Sequence, residues 1–319
     1  MSAARGKRAH RAQVGGFAQA QAPGSVGNVG VGFDILGHAV EGVGDRVMVE
    51  AIAEPVVRIS AISGLVTELP RDSQNNTAAR AVSAMREALG LENGFEIALE
   101  KGIPLGSGLG GSAASAVAAV VAANALLDQP LELSELYPFA LAGEVAASGS
   151  AHGDNIAPQL LGGLVLVCGE RLIQIPVPDE LYCAVVHPHL VVETREARKR
   201  LRAPYGLSKI VAQTGNLAGV LAGLYRNDMA LIGQSLSDVL VEPRRAVMIP
   251  GFAKVKAAAL ERGALGASIS GGGPSVFAWF SNRLHAQSAG VAMRQAFEAA
   301  GLKADLLVSP VAAAGAGVL

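Results

Sequence analysis

Apolar and polar residues alternate along "GFAQAQAP" (16–23) and "DRVMVEAIAEPVVRISAI" (45–62), the period of two that a half-buried strand imposes. "NNTAARAVSAMREALG" (75–90) switches to helical spacing, with Asn at its start and Gly90 at its end. A further strand, "GFEIALEKGIP" (94–104), runs into a glycine-rich loop and then into an almost unbroken apolar run ending at Leu127, which predicts a helix. The next helix is "LSELYPFALAGEVAASG" (133–149), with Pro138 near its start, and "HGDNIAPQLLGGLVLVCG" (152–169) reads as a polar loop returning to a strand.

From about Leu172 the pattern changes. "LYCAVVHP" (181–188) predicts a strand; "TREARKRL" (194–201), stretches between Leu207 and Leu240, and "IPGFAKVKAAALERG" (249–263) predict helices. "ALGASIS" and "SVFAWF" are strands around "GGGP", followed by the helix "LHAQSAGVAMRQAFEAAG" and the strand "KADLLVSP". Without its extra helices this order is βαββαβ, a split unit that forms a two-layer sandwich. The expected organisation is a disordered basic arm over 1–16, a mixed α and β domain over 17–171 and a second domain over 172–319. A chain of 319 residues exceeds what one core usually serves, which agrees with two domains.

Half of the residues are hydrophobic, 17% are charged and the formal net charge is -1, so no broad basic field exists for nucleic acid or anionic lipid. An anion must be bound locally. The longest apolar stretch, Ala113 to Leu127, is interrupted by Ser115 and Asn124 and falls short of the roughly 20 residues that span a bilayer. The basic N-terminus lacks the apolar core of a secretory signal, an organellar transit peptide being its alternative reading. Cys168 and Cys183 lack CxxC spacing and read as reduced, buried thiols of a cytoplasmic protein.

The chemistry concentrates in "PLGSGLGGSAAS" (104–115). A glycine-rich loop entering a helix leaves backbone N–H groups without intrahelical partners, and the helix dipole adds partial positive charge, so it suits an anion, most often phosphate. Gly106, Gly108 and Gly111 also fit GxGxxG, with Asp128 twenty residues beyond Gly108, the pattern of an NAD-dependent oxidoreductase. In that fold the acid ends the next strand, whereas Asp128 follows the helix directly. A Walker A loop would need Lys and then Ser or Thr where Ser112 and Ala113 stand. A bend that only packs strand on helix is the blander reading. A side chain at Gly108 is expected to block the approach of phosphates without unfolding the chain.

Ser112, at the first helical turn, can ligate magnesium, which calls for a carboxylate from elsewhere. Glu144 sits on an otherwise apolar helix just before a loop holding His152, Asp154 and Asn155, and is either that carboxylate or a solvated helix residue. His187 and His189 form an HxH pair, with no nearby cysteine or third histidine to complete a metal site.

Three motifs in order, "APGSVGNVGVGFDILG" (22–37), "PLGSGLGGSAAS" and "SISGGGPSVFAWF" (268–280), resemble those of the GHMP small-molecule kinases, named for galactokinase, homoserine kinase, mevalonate kinase and phosphomevalonate kinase. The likeness covers nearly all of the chain after the N-terminal arm. It implies an α+β fold, with a ribosomal-S5-like N-terminal domain and a ferredoxin-like C-terminal domain, and ATP with Mg2+ as phosphoryl donor. "GEVAASGSAHGDNIAPQLLGG", "TREARKRL" and "VEPRRAVMIPGF" (241–252) resemble the branch that acts on the side-chain hydroxyl of L-homoserine, in threonine biosynthesis. Another small alcohol such as mevalonate, a nonenzymatic binding protein of the same fold, and the NAD-dependent oxidoreductase are the competing readings. The chain departs from the family's usual pattern at Gly111, where a serine is common, and at "SGGGP"; both changes keep the backbone donors.

Carried onto this chain, the resemblance implies that Pro104, Leu105, Gly106, Ser107, Gly108, Leu109, Gly110, Gly111, Ser112, Ala113 and Ala114 cradle ATP, with Ser112 and Glu144 on magnesium. Arg198 and Arg245 would take the homoserine carboxylate, and Asp34 with Asp154 its ammonium. Asn28, His152, Asn155 and Thr194 would complete the polar shell. Asn155 stands where mevalonate kinases are given a carboxylate base, so no side-chain base is expected, the hydroxyl proton passing to phosphate. The implied assembly is a homodimer without nucleic-acid or membrane partners.

Overall fold

Strand β1 (Phe17–Gly27) pairs antiparallel with the long β2 (Leu36–Ile52), and the alternation puts Ala20, Ala22, Val47 and Val49 into the core. The register slips between Pro23 and Gly24, which re-aims the end of β1 that holds Ser25. β3 (Val57–Gly64) and β4 (Gly94–Lys101) extend the sheet. Helix α1 (Thr77–Leu89) starts at Asn76, whose side chain accepts from the N–H groups of Ala78 and Ala79, and stops at left-handed Gly90 (φ 65°). Helix α2 (Gly111–Ala125) is buried from Ala113 to Asn124, enclosed by the sheet on one side and by α1 and α3 (Tyr137–Ser148) on the other. The computed structural model describes residues 10–148, 152–202 and 204–319.

The stretch expected as a polar loop holds a short helix, α4 (Ile156–Leu161), before β5 (Leu164–Cys168) and β6 (Arg171–Ile175). Six residues, with Pro158 among them, are too few for a helical period to show. The second half comprises β7 (Tyr182–Pro188), α5 (Thr194–Lys199), α6 (Leu207–Arg226), α7 (Met229–Ser235), α8 (Glu242–Arg245), α9 (Phe252–Leu260), β8 (Gly266–Ile269), β9 (Val276–Phe280), α10 (Arg283–Glu298) and β10 (Ala304–Pro310). Its sheet runs β10-β7-β9-β8, all antiparallel, which is the arrangement of the βαββαβ sandwich.

The division expected at 171/172 falls at the start of β6, which β5 holds in the first sheet. The chain also returns to that sheet as β11 (Gly317–Val318), paired with β1. One core continues through Cys183, Val185, Phe277 and Trp279 into the first half. Trp279 Nε1 donates to His38 Nε2 (3.2 Å), and burial lowers the pKa of His38 to about 4, so the ring stays a neutral acceptor.

Residues 1–9 of the basic arm lie outside the described residues. The rest of it is ordered against the end of α2: Ala12 bridges Leu127, Gln13 N–H donates to Leu126 C=O (3.2 Å) and Arg11 N–H to the Asp128 carboxylate (3.1 Å). Asp128 therefore holds the arm and does not stand at a strand end, as a dinucleotide site requires. Cys183 is buried as expected, but Cys168 is exposed at the turn between β5 and β6. Among the described residues no helix is long and apolar enough to cross a membrane.

Beneath α2, Asp45 on β2 and Lys101 at the end of β4 form an ion pair only 0% and 2% exposed. Ser115 Oγ donates to Asp45 (2.6 Å), as do the N–H groups of Gly102 (3.0 Å) and Ile103 (3.2 Å), and Lys101 reaches the Gly111 carbonyl (2.7 Å). Burial lowers the pKa of Lys101 against the pull of Asp45. The pair thus sets the height of the first turn of α2 over the sheet. Asp45→Ala strands the ammonium and is expected to lower unfolding free energy by about 3–5 kcal/mol in urea titrations. The Asp45→Leu/Lys101→Met double replacement should recover most of that; an equal loss in both variants would show that packing, and not the unpaired charge, governs the position.

Candidate functional site

The loop between β4 and α2 has an alternating backbone, with Gly106, Gly108 and Gly110 left-handed (φ 60°, 79° and 71°) and Ser107 and Leu109 between them. Its carbonyls are drawn outward. Gly106 accepts from Val192 N–H (3.2 Å), Ser107 from Ser275 Oγ (2.7 Å), Gly108 from Ser270 Oγ (2.7 Å) and Leu109 from Ser25 N–H (3.0 Å). Gly110 accepts from Ala114 N–H (2.9 Å) and Gln159 Nε2 (3.0 Å). With these successive carbonyls held from behind, the N–H ends are left for the cleft, and among the described residues those of Gly108, Gly110 and Gly111 donate to no protein acceptor. Such an alternating loop is a nest for an anion, and the start of α2 adds its partial positive charge.

A Cβ at Gly108 would not project into the anion's path, as the sequence suggested. It would meet the Ser270 carbonyl at 2.5 Å and that of Gly273 at 2.8 Å, so glycine here admits the C-terminal motif that clamps the loop. Leu109 and Ala114, expected with the cradle, are buried in the core and line none of the cleft. His187 backs the clamp, its Nδ1 lying 3.2 Å from Ser275 Oγ, while His189 pairs with Asp305 (2.8 Å).

One wall of the cleft is acidic. Ser112 Oγ donates to Glu144 Oε2 (2.7 Å), and burial raises the Glu144 carboxyl to about 7 despite that bond. Burial first, and Asp34 second, raise Asp154 to about 7 as well. Asp154 Oδ2 accepts from Asn28 N–H (3.0 Å), an approach that Gly27 and Gly37 make possible: a Cβ on the first would lie 2.6 Å from Asp154 Oδ2, and one on the second 1.8 Å from the Asp154 carbonyl. Next to it, Asn155 Oδ1 accepts from Ser25 Oγ (2.9 Å) and its Nδ2 lies 3.4 Å from Asp154 Oδ1. Ser112 and Glu144 offer a pair of hard oxygens at the phosphate-facing end of α2, which fits magnesium. Among the described residues no cluster of three or more His, Cys, Asp or Glu forms a metal cage, and magnesium needs none when phosphates and waters fill its shell.

The opposite wall is basic and rests on a strained turn. Asn28, Val29 and Asp34 are left-handed (φ 68°, 44° and 64°), held there as Asn28 accepts from Asp34 N–H (2.9 Å) and donates to the Gly271 carbonyl (2.9 Å). Asp34 receives both amino groups of Arg198 (2.7 and 3.2 Å) and lies 3.3 Å from His152 Nδ1. Arg245, 3% exposed, donates to the Gly271 carbonyl (2.8 Å). The guanidinium carbons of Arg198 and Arg245 stand 5.3 and 5.2 Å from the Phe33 ring centroid, so one aromatic ring serves both cations. Burial, and then the charge of Arg198, lower the pKa of Arg245. Burial likewise lowers that of His152.

Of the expected site residues, all but Leu109, Ala114 and Thr194 line this single cleft, which Gly271 and Gly272 close from the C-terminal half. Thr194 is the first residue of α5, its side chain outside what the structure describes. Sequence reasoning missed Ser25, Phe33, Gln159, Ser270 and Ser275. Four of these stand inside the first and third motifs, where their polar or aromatic character was the available signal; Gln159 had only its place between apolar neighbours.

Residues 76–163 match the family described as GHMP kinases N terminal domain, and residues 220–299 that described as GHMP kinases C terminal. The chain is 54% identical over 302 residues to the homoserine kinase of Xanthomonas campestris, across 95% of this chain and 94% of that protein. It is 53% identical, with the same coverage, to that of Xylella fastidiosa. The crystal structure of homoserine kinase from Cytophaga hutchinsonii matches with a TM-score of 0.92 and 47% identity, over 95% of this chain and 97% of that one.

The raised pKa values have a consequence for stability. Glu144 and Asp154 hold their protons to about 7 in the folded chain, whereas unfolded carboxyls release theirs near 4. Between those values the folded state carries more protons, so stability of the ligand-free protein is expected to fall as pH rises from about 4 to above 7. Melting temperatures from about pH 5 to 8 should show that fall, and Glu144→Gln should flatten part of it. A wild-type melting temperature that rises across the window would place both carboxylates in water.

Proposed function

The chain belongs to the GHMP kinase family, and we infer that it transfers the γ-phosphoryl group of ATP to the side-chain hydroxyl of homoserine, giving O-phosphohomoserine for threonine biosynthesis. The observation that carries the reading is the polarity of the cleft: a nest of free N–H groups faces it on one side, and two arginines from the other half of the chain, Arg245 buried and Arg198 partly exposed, converge on it.

The N–H groups of the loop and the start of α2 hold the phosphates and stabilise the charge that shifts among their oxygens during transfer. Ser112 and Glu144 would hold magnesium, which when bound neutralises phosphate charge. An adjoining apolar cleft lined by Leu65, Pro104, Leu105, Leu190 and Val191 suits the adenine ring. Asp34 already draws on the fork of Arg198, so the substrate carboxylate falls to Arg245 and the remaining donors of Arg198, and its ammonium to Asp34 and Asp154. Mevalonate brings no ammonium to such an acidic pair. Asn155 meets the hydroxyl; a neutral amide takes no proton, so the proton leaves to a phosphate oxygen. Asn28, His152 and Thr194 complete the proposed shell. A cytoplasmic homodimer is the proposed setting, the dimer to be checked by light scattering.

Arg245→Ala is expected to lower kcat/KM for homoserine by ~30-fold or more, with Arg198→Ala similar, since each leaves part of a buried carboxylate contact unmade. Lysine replacements should recover only part, and 3-aminopropanol, which lacks the carboxylate, should react poorly with wild type and lose little more in either variant. Equal losses for both acceptors would take the arginines out of the carboxylate site. Glu144→Gln should weaken the magnesium dependence and lower kcat while leaving homoserine binding nearly intact; an unchanged kcat at limiting magnesium would remove Glu144 from the metal.

A further inference from the structure

The amide of Asn155 can present either of its ends to the cleft, and the residues behind it decide which. The Gly110 carbonyl only accepts, so Gln159 must turn Nε2 toward it (3.0 Å). The same nitrogen lies 3.1 Å from Ser25 Oγ, which accepts from it and directs its own proton to Asn155 Oδ1 (2.9 Å). With Oδ1 engaged, Nδ2 is the end of Asn155 left to the cleft, beside Asp154 Oδ1 (3.4 Å). Ser25 and Gln159 are both 0% exposed, so no bulk water competes for these bonds. Gln159 keeps this orientation although its Oε1 finds no partner among the described residues. The approach is open only to glycine at 110, where a Cβ would stand 2.4 Å from Ser25 Oγ and 2.7 Å from Gln159 Nε2.

We propose that Ser25 and Gln159 are positioning residues for the transfer: they hold Asn155 as a hydrogen-bond donor to the acceptor's hydroxyl oxygen and couple that orientation to the phosphate loop through Gly110. The proposal rests on the reading that the homoserine hydroxyl lies at Asn155. An N–H donated to that oxygen occupies one lone pair, aims another at the γ-phosphorus and turns the O–H away from the amide. In the step so arranged, the hydroxyl oxygen forms its bond to the γ-phosphorus, the bond from that phosphorus to the β,γ-bridging oxygen breaks with its electron pair leaving on ADP, and the hydroxyl proton goes to a phosphate oxygen. Ser25 and Gln159 touch neither substrate; they act through Asn155.

A double-mutant cycle on the full chain tests this. Asn155→Ala and Ser25→Ala should each lower kcat by about 10-fold or more, with KM for ATP and homoserine within about twofold of wild type. In the Asn155→Ala background Ser25→Ala should have no further effect on kcat. Gln159→Leu, which removes the donor and the orphan oxygen together, should lower kcat in wild type and also do nothing after Asn155→Ala. Equal multiplicative losses in both backgrounds, or a Ser25→Ala variant with wild-type kcat, would overturn the relay. An unchanged kcat in Asn155→Ala itself would overturn the placement of the hydroxyl at Asn155, and the relay with it. Thermal melts of each variant separate these outcomes from loss of fold, since a packing defect would act in either background.

Discussion

A peptide group has two polar ends, and from Gly106 to Gly110 the protein satisfies one of them. Every carbonyl in that stretch is held from behind, by β1, by the segment before α5, by α4 or by the serines of the C-terminal motif. Leu109 N–H turns back to Ser107 Oγ (3.3 Å), while those of Gly108 and Gly110 donate to no protein acceptor among the described residues and are left to the cleft. This orientation is a constraint on the whole molecule, because the groups that enforce it come from both halves of the chain. Ser270 and Ser275 can hold Gly108 and Ser107 only if the second sheet sits against the loop, and Ser25 can hold Leu109 only because the slip at Pro23 and Gly24 turns the end of β1 toward it. An anion held there would complete a set of bonds that the fold has left half made, and would need no lysine from the loop.

The same economy governs the walls. Burial raises Glu144 and Asp154 toward neutrality, so the acidic wall, without ligand, is less charged than its residue types suggest, while Arg245 keeps its charge although burial lowers its pKa. A ligand that set cations against the acidic wall would favour its charged carboxylates. On the proposed reading, specificity would follow from the zwitterion: an uncharged alcohol could fit the space and still leave the buried groups unpaired. Phe33 keeps the two guanidinium groups in reach of one another without hydrogen-bonding either, leaving their forks to carboxylates.

Much of this was legible in the chain. Alternation exposed most strands of the first sheet, though not β6, and the order βαββαβ was readable because β7, α9, α10 and β10 of the second half are long enough to show their period. Most of the cleft was readable as motifs, because a glycine loop, a serine at a helix start and arginines near carboxylates carry their chemistry in their residue type. The hidden parts are those whose meaning lies in a distant partner. Asp45 and Lys101, 56 residues apart, each look like an ordinary charged end of an alternating strand. Ser25 and Gln159, 134 apart, become a relay only when α4 lies behind the loop, and α4 was too short to be read. The ordered stretch over residues 10–13 and the brief pairing of β11 escaped for the same reason: their order is borrowed from elements far along the chain.

That last pairing bears on how the molecule comes into being. Ala20 of β1 faces Val318, about 300 residues downstream, so the sheet begun by the earliest strand stays open at that edge until nearly all of the described chain has been made. At roughly 5–20 residues per second, the interval during translation is on the order of 15–60 s. Throughout it the edge of β1 is an unpaired ladder of N–H and C=O groups on a nascent chain, available to any strand that passes. A two-residue strand is a small closure, covering only Ala20 and Gln21, but it makes the synthesis of residues 317 and 318 part of the folding of the sheet that β1 begins.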